Sequence, residues 1–261
     1  MIESNPANKI IDEVSNLAPK IYDDLVQPAS KEIGQATGRT VKALLTPLRA
    51  MLWGWERIEK VVTEGVEKRL QNIPEDQRKA PEPEIAVPLI QALSYTAQNE
   101  TLRDLYLNLL SNSMDLSKDK DVHPSFVDLI KQMNTLDAKV FQKLSKSSQH
   151  QNIIQPRIFV GQTNQYFVGK TPEWYIGWTI PEYDIFDISK CIVRLSKFGL
   201  IDILHNMHIK GGSVDKLLSN PELIELLTPY NPDLKLRLGA NNALLSVNEY
   251  GMQFKEACMP L

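Results

Sequence analysis

P-E-P-E-I-A-V-P-L-I-Q-A-L-S-Y (81–95), L-R-D-L-Y-L-N-L-L-S-N-S-M-D (102–115) and V-H-P-S-F-V-D-L-I-K-Q-M (122–133) follow one another in the stretch that decides the fold. Within it Leu102, Leu105, Tyr106, Leu109, Leu110 and Met114 fall at i, i+3, i+4, i+7, i+8 and i+12, one face of a helix that Asn99 can cap. Burying that stripe requires partner helices. Residues 85–97 supply one, with Pro88 expected in its first turn, and Ser125-Phe-Val-Asp128 has the spacing of a capping box that opens another. Thr135-Leu-Asp then begins a helix to about Ser145, and the unit is read as a central helical bundle over 81–148.

Working outward, the zone 1–80 reads as a helical arm. Val41, Leu44, Leu45, Leu48, Met51, Leu52 and Trp55 share one arc at 100° per residue, and Arg39, Lys42, Thr46 and Arg49 share the opposite one. Pro47 breaks this pattern, because a proline removes a helical hydrogen bond; Thr46-Pro47 instead suits an N-cap and first residue of a second helix, running to about Leu70.

The zone 149–261 changes character. Runs at 153–154, 158–160, 166–168 and 175–180 are β-branched and aromatic and are separated by turn residues, which predicts short strands or a hairpin. A helix over about 187–198 follows, with Ile188, Ile192 and Leu195 inward and Gly199 as its left-handed C-cap residue. Residues 200–204 and 243–247 read as paired strands, and 249–259 as a closing helix. The segment at about 210–240, rich in Gly and Pro, reads as an insertion with one short helix at 222–227. The order of helices 135–145 and 187–198, strand, strand and last helix is similar to a winged helix-turn-helix. The fold class expected is therefore mainly α: helical arm, central bundle, and a winged-helix-like α+β C-terminal domain.

Composition narrows the function classes. The chain has 261 residues and a formal net charge of −3, and basic and acidic residues number 12 and 12 over 1–81, 7 and 9 over 82–150, and 10 and 11 over 151–261. No zone has the basic excess of an obligate nucleic-acid binder. Cys191 and Cys258 show no metal-ligand spacing and no disulfide framework, so a reducing, cytoplasmic setting is expected, without a signal peptide or membrane span.

The run 33–144, with its Pro-rich lead-in, I-A-V-P-L-I-Q-A-L-S-Y, L-R-D-L-Y-L-N-L-L-S-N-S-M-D and V-H-P-S-F-V, resembles the bacterial abortive-infection alpha family, long catalogued as a domain of unknown function. The resemblance implies a mostly helical prokaryotic protein linked to phage defence. It carries over no catalytic residue, because the family has none agreed.

The candidate sites are few. His123 stands at a loop-to-helix junction where a base or ligand would fit, but a His before Pro takes an extended backbone and has no ligand partner at suitable spacing, so its expected role is structural. His205 and His208 lie on a stretch read as strand, where they point to opposite faces. Ser125 and Asp128 have capping-box spacing, and the serine lacks an evident base. Lys190, Arg194 and Lys197 form a stripe at i, i+4 and i+7 on the 187–198 helix, suited to nucleic acid or to a partner protein; Asp184 and Asp187 at the helix start favour the protein. Arg39, Lys42 and Arg49, with Trp53 and Trp55, suit an in-plane membrane-surface helix or a partner, while burial of the same segment's apolar arc against the bundle is the outcome expected.

The function expected is a non-enzymatic component of bacterial antiphage defence acting through protein or membrane contact. A nucleic-acid-binding regulator using the 187–198 helix is the alternative. A protein partner or self-association is expected, together with a cytoplasmic location that includes peripheral contact at the inner face of the membrane. No metal, cofactor or small-molecule substrate is expected.

Overall fold

A computed structural model describes Leu45 and residues 58–71, 73–167, 169–209 and 214–259. The basic face at Arg39, Lys42 and Arg49, with Trp53 and Trp55, lies outside the described residues, as does the expected break at Thr46-Pro47. Contacts divide the chain into two units, one of residues 1–132 and 257–261, the other of 133–256.

In the first unit, α1 (Glu59–Leu70), α2 (Pro83–Thr96), α3 (Glu100–Ser113) and α4 (Ser125–Gln132) pack α1 on α3, α2 on α3 and α4, and α3 on α4. The predicted stripe of α3 is buried throughout: Leu105, Tyr106, Leu109, Leu110 and Met114 are at most 2% exposed and Leu102 8%. Each such leucine contributes about 1.5–3 kcal/mol by leaving water. Asn99 caps α3, its side chain accepting from the Leu102 amide at 3.2 Å. Gly65 of α1 has no Cβ because α3 comes too close; one built there would meet Leu107 Cδ1 at 2.5 Å.

The α2 expectation needs a correction. Pro83 takes the first helical position and Pro88 lies inside the helix, in its second turn. The missing Pro88 amide costs one helical bond, and the helix continues because Ile85, Leu89, Ile90 and Leu93 bury the face it carries. At α4 the boundary is also shifted. Ser125 is the first helical residue, and His123 Nδ1 meets both its amide (3.2 Å) and its hydroxyl (2.7 Å).

The second unit holds α5 (Thr135–Lys146), β1 (His150–Phe159), α6 (Ile185–Lys197), β2 (Ile201–His205), α7 (Val214–Leu218), α8 (Pro221–Ile224), β3 (Arg237–Val247) and α9 (Glu249–Cys258) through Glu256. The helix at 135–146, read from sequence with the bundle, packs here against α6. The sheet is antiparallel with order β1-β3-β2, Phe159 opposite Arg237 and Ile201 opposite Val247. Pro156 is tolerated within β1 because that strand lies at the edge of the three.

Gly199 at φ +73° ends α6 as the sequence predicted, β2 and α9 fall within a residue of the expected bounds, and β3 contains the expected 243–247 but begins at Arg237, within the segment read as an insertion. The short strands expected at 166–168 and 175–180 are not formed among the described residues; isolated bridges stand in their place, Phe159 to Tyr166 and Ile154 to Tyr175. Positive φ at Gly161, Gly169 and Gly177 interrupts any ladder there. The insertion holds more than one short helix: α7, α8 and 3₁₀ turns at Glu225–Leu227 and Pro232–Leu234. Leu223 of α8, with Leu217 and Leu218 of α7, covers one sheet face around Ile154, Tyr175 and Ile185. On α9, Phe254 meets Phe141 edge-on with ring centroids 5.5 Å apart.

Candidate functional site

Of the Lys190–Arg194–Lys197 stripe, Lys190 and Arg194 border an open groove of about 410 Å³ in the second unit, and Lys197 lies outside its lining. Its floor is the start of α5, with Asn134, Thr135 and Leu136, and its wall is Tyr183 with Asp187, Lys190 and Arg194 of α6.

Local sequence builds both sides. Asn134 accepts from the Asp137 amide at 2.9 Å while Asp137 Oδ2 accepts from the Asn134 amide at 3.1 Å, a reciprocal capping box that fixes the first turn of α5. Asp184 caps α6 by accepting from the amides of Phe186 and Asp187 at 2.8 and 2.9 Å. Hydrophobic spacing turns Ile188, Cys191, Ile192 and Leu195 inward, which leaves positions 190, 194 and 197 on the outer half of α6.

The structure separates the three cations that the sequence put on one stripe. Arg194 Nε donates to Asp137 Oδ1 at 2.9 Å, and Nη2 forms an ion pair with the same oxygen at 2.7 Å. The Asp137 side chain is 1% exposed and that of Arg194 35%. Hydrogen bonding to that carboxylate raises the Arg194 pKa further above its ordinary value, against a smaller opposing effect of burial. Lys190 pairs with Asp187 at 3.3 Å on the surface. Lys197 is exposed and has no ion pair among the described residues. The groove therefore carries its charge as close pairs of opposite sign, not as a field of one sign.

Asp137 is the residue that sequence reasoning missed. Its spacing from Asn134 signals the capping box, but its partner on α6 is 57 positions away. Beside this pair the Cys191 thiol is buried and points to the Leu136 carbonyl at 3.9 Å; burial, followed by the nearby Asp137, pushes its pKa well up. Cys258 is likewise buried and shifted upward by desolvation alone. Neither has the low-pKa setting of a reactive thiol.

The remaining candidates are apart from the groove in sequence and contacts. His123 is engaged within its own loop, and its ring meets the edge of Phe126 at 6.1 Å. Asp128 pairs with Lys131 at 3.1 Å. His205 ends β2 beside the Trp174 ring, 5.4 Å between centroids, and His208 lies beyond the strand. Among the described residues no group of three or more His, Cys, Asp or Glu is placed to hold a metal, and no helix is long and apolar enough to cross a membrane.

Residues 54–258 match a family model described as abortive infection alpha. No curated protein and no solved structure matches the chain.

Proposed function

Since the chain belongs to the abortive infection alpha family, we propose that it is a non-enzymatic component of antiphage defence that works through contact with a protein partner. The supporting observation is the Arg194–Asp137 pair. An arginine bound through two nitrogens to a nearly buried carboxylate is a strut between α5 and α6, and it is not offered to a phosphate. What α6 then presents is a rim of mixed charge, Asp187 and Lys190 beside Tyr183 at the groove and exposed Lys197 at the far end of the helix, which suits the polar rim of a protein interface better than a duplex groove.

The second unit is read as winged-helix-like. Supporting that reading are its element order of helix, strand, helix, strand, strand, helix and its sheet order β1-β3-β2. Here the place of a wing is taken by the connection from β2 to β3, which holds α7 and α8.

The test is infection of cells with and without the gene at phage-to-cell ratios well below and well above one. Abortive defence predicts survival of the culture at the low ratio and collapse at the high one, with Lys190→Glu plus Lys197→Glu weakening protection while the folded protein still accumulates. Cultures that survive equally at both ratios would remove the abortive reading. Full protection by the charge-reversed variant would remove the α6 rim as the contact.

A further inference from the structure

A second surface lies on the sheet, away from the α5–α6 groove. Register places Gln155 opposite Asn241, Arg157 opposite Gly239 and Phe159 opposite Arg237. These pairs share one face, since residues directly opposite in a sheet project to the same side. The alternate positions, Ile154, Leu238 and Ala240, belong to the apolar cluster that the insertion covers. The outer face thus shows amides, guanidiniums and rings.

Four side chains form one continuous row of ring contacts, in which the two rings meet edge to face. The Arg237 guanidinium lies 4.5 Å from the Phe159 ring centroid, Phe159 and Tyr166 have centroids 5.7 Å apart, and Arg157 lies 4.1 Å from Tyr166. Gly239 permits this, because a Cβ there would meet Phe159 Cε2 at 2.8 Å. Tyr166 stays 41% exposed with the Arg157 guanidinium over its ring.

The charge of this row is not compensated nearby. Arg237 donates to the carbonyls of Gly161 and Thr163, both at 3.3 Å, and Arg157 to Gln155 Oε1 at 2.9 Å. These acceptors are neutral, and among the described residues neither arginine has a carboxylate partner. The chain contains no Asp or Glu between Asp137 and Glu173, nor between Asp233 and Glu249, so both strands and the loop joining Phe159 to Tyr166 are free of acidic side chains. In a chain of net charge −3 this is a local cationic surface held in place by two backbone carbonyls and one side-chain amide.

We propose that this outer face of β1 and β3 binds single-stranded nucleic acid, with Arg157 and Arg237 on phosphates and the exposed part of Tyr166 stacking on a base. Guanidiniums without counter-charge supply the phosphate contacts, and an exposed ring on a sheet face accepts any base. A duplex offers no free base to that ring, and an acidic peptide has no flat π-face to match it. This inference is independent of the defence reading, because it concerns what the purified chain binds.

Fluorescence anisotropy with a fluorescein-labelled twenty-nucleotide oligothymidylate, a duplex of the same length and a labelled polyglutamate peptide tests it at low salt. The expected result is binding of the single strand that weakens with salt at a log–log slope of about −1.4, the value for two phosphates. Tyr166→Ser is expected to weaken it roughly fivefold to a hundredfold. Arg157→Gln with Arg237→Gln is expected to weaken it more and to flatten the salt slope, while Lys190→Gln with Lys197→Gln on α6 changes nothing. Should the arginine variant fail to fold, the exposed Tyr166 decides alone. Absence of single-strand binding, equal binding of the duplex or of polyglutamate, or wild-type affinity in folded Tyr166→Ser would each overturn the proposal.

Discussion

Breaking the Arg194–Asp137 pair from either side should have unequal consequences, and the inequality follows from burial. Asp137 is 1% exposed at its side chain and Arg194 35%. Removing the carboxylate by Asp137→Ala strips the ion pair and its charge-assisted hydrogen bond from Arg194 and one hydrogen bond from the Asn134 amide. The freed guanidinium can turn to water, and so can much of its charge, which discounts the usual penalty for an orphaned ion. A cost of about 2–3 kcal/mol is expected, made of the lost bonds and the weakened cap. Removing the cation by Arg194→Met is worse. It leaves a carboxylate with almost no access to water and only the Asn134 amide and the Cys191 thiol beside it, and breaking a buried pair in that direction costs about 3–5 kcal/mol.

The double variant then loses both groups at once and leaves no buried charge without a partner. Its destabilisation should fall short of the sum of the single ones by about 1–3 kcal/mol. Urea denaturation followed by far-ultraviolet circular dichroism measures all four proteins, with the slope checked for constancy so that midpoints report stability. A cost for Arg194→Met no larger than that for Asp137→Ala, or additive behaviour of the two, would refute the view of this pair as the strut between α5 and α6.

Three further outcomes are expected. In the first unit, Leu109→Ala should lower stability by about 2–5 kcal/mol, since the side chain is fully buried and its removal leaves a cavity; an unchanged denaturation midpoint would place α3 outside the core. In the second, Gly251→Ala should abolish stable folding as seen by proteolysis, because the new Cβ would come within 2.1 Å of the Leu200 carbonyl oxygen, whereas Gly161→Ala, where φ is +56° and nothing lies within 4 Å, should pay only for backbone strain. Cys191 and Cys258 should stay unmodified by Ellman's reagent at pH 8 in the native protein and react on unfolding; their raised pKa values keep them protonated and burial denies access, so fast native-state labelling would contradict both.

Much of the helical architecture was legible because its signals are local. The α3 stripe, the Asn99 cap, the start of α5, the Gly199 terminus and the β2, β3 and α9 order all depend on spacing within a dozen residues, and all stand in the structure. The errors came where local rules compete with packing. Pro88 reads as a first-turn residue because a proline is cheapest there, yet the apolar face of α2 carries the helix across it. Residues 166–168 and 175–180 read as strands from their side chains, but glycines at positive φ before and between them (161, 169) and within the second (177) leave only single bridges. Part of the arm reading falls on residues the structure does not describe.

The site was less legible because charge is a property of pairs. On sequence alone Lys190, Arg194 and Lys197 are equivalent members of one stripe; in space Arg194 belongs to Asp137, Lys190 to its own-turn neighbour Asp187, and Lys197 remains exposed. The reverse holds on the sheet. Arg157 and Arg237 stand 80 residues apart, Arg157 among uncharged residues and Arg237 just after Asp233 and Lys235, so no helical periodicity joins the two. Antiparallel pairing of β1 with β3 brings them to opposite ends of one row of ring contacts through Phe159 and Tyr166. The signal that sequence does carry is subtractive: two long stretches without a carboxylate, which become adjacent when the strands pair. A cation matters to a phosphate only when the fold gives it no acid of its own, and by that criterion β1 and β3 outrank α6.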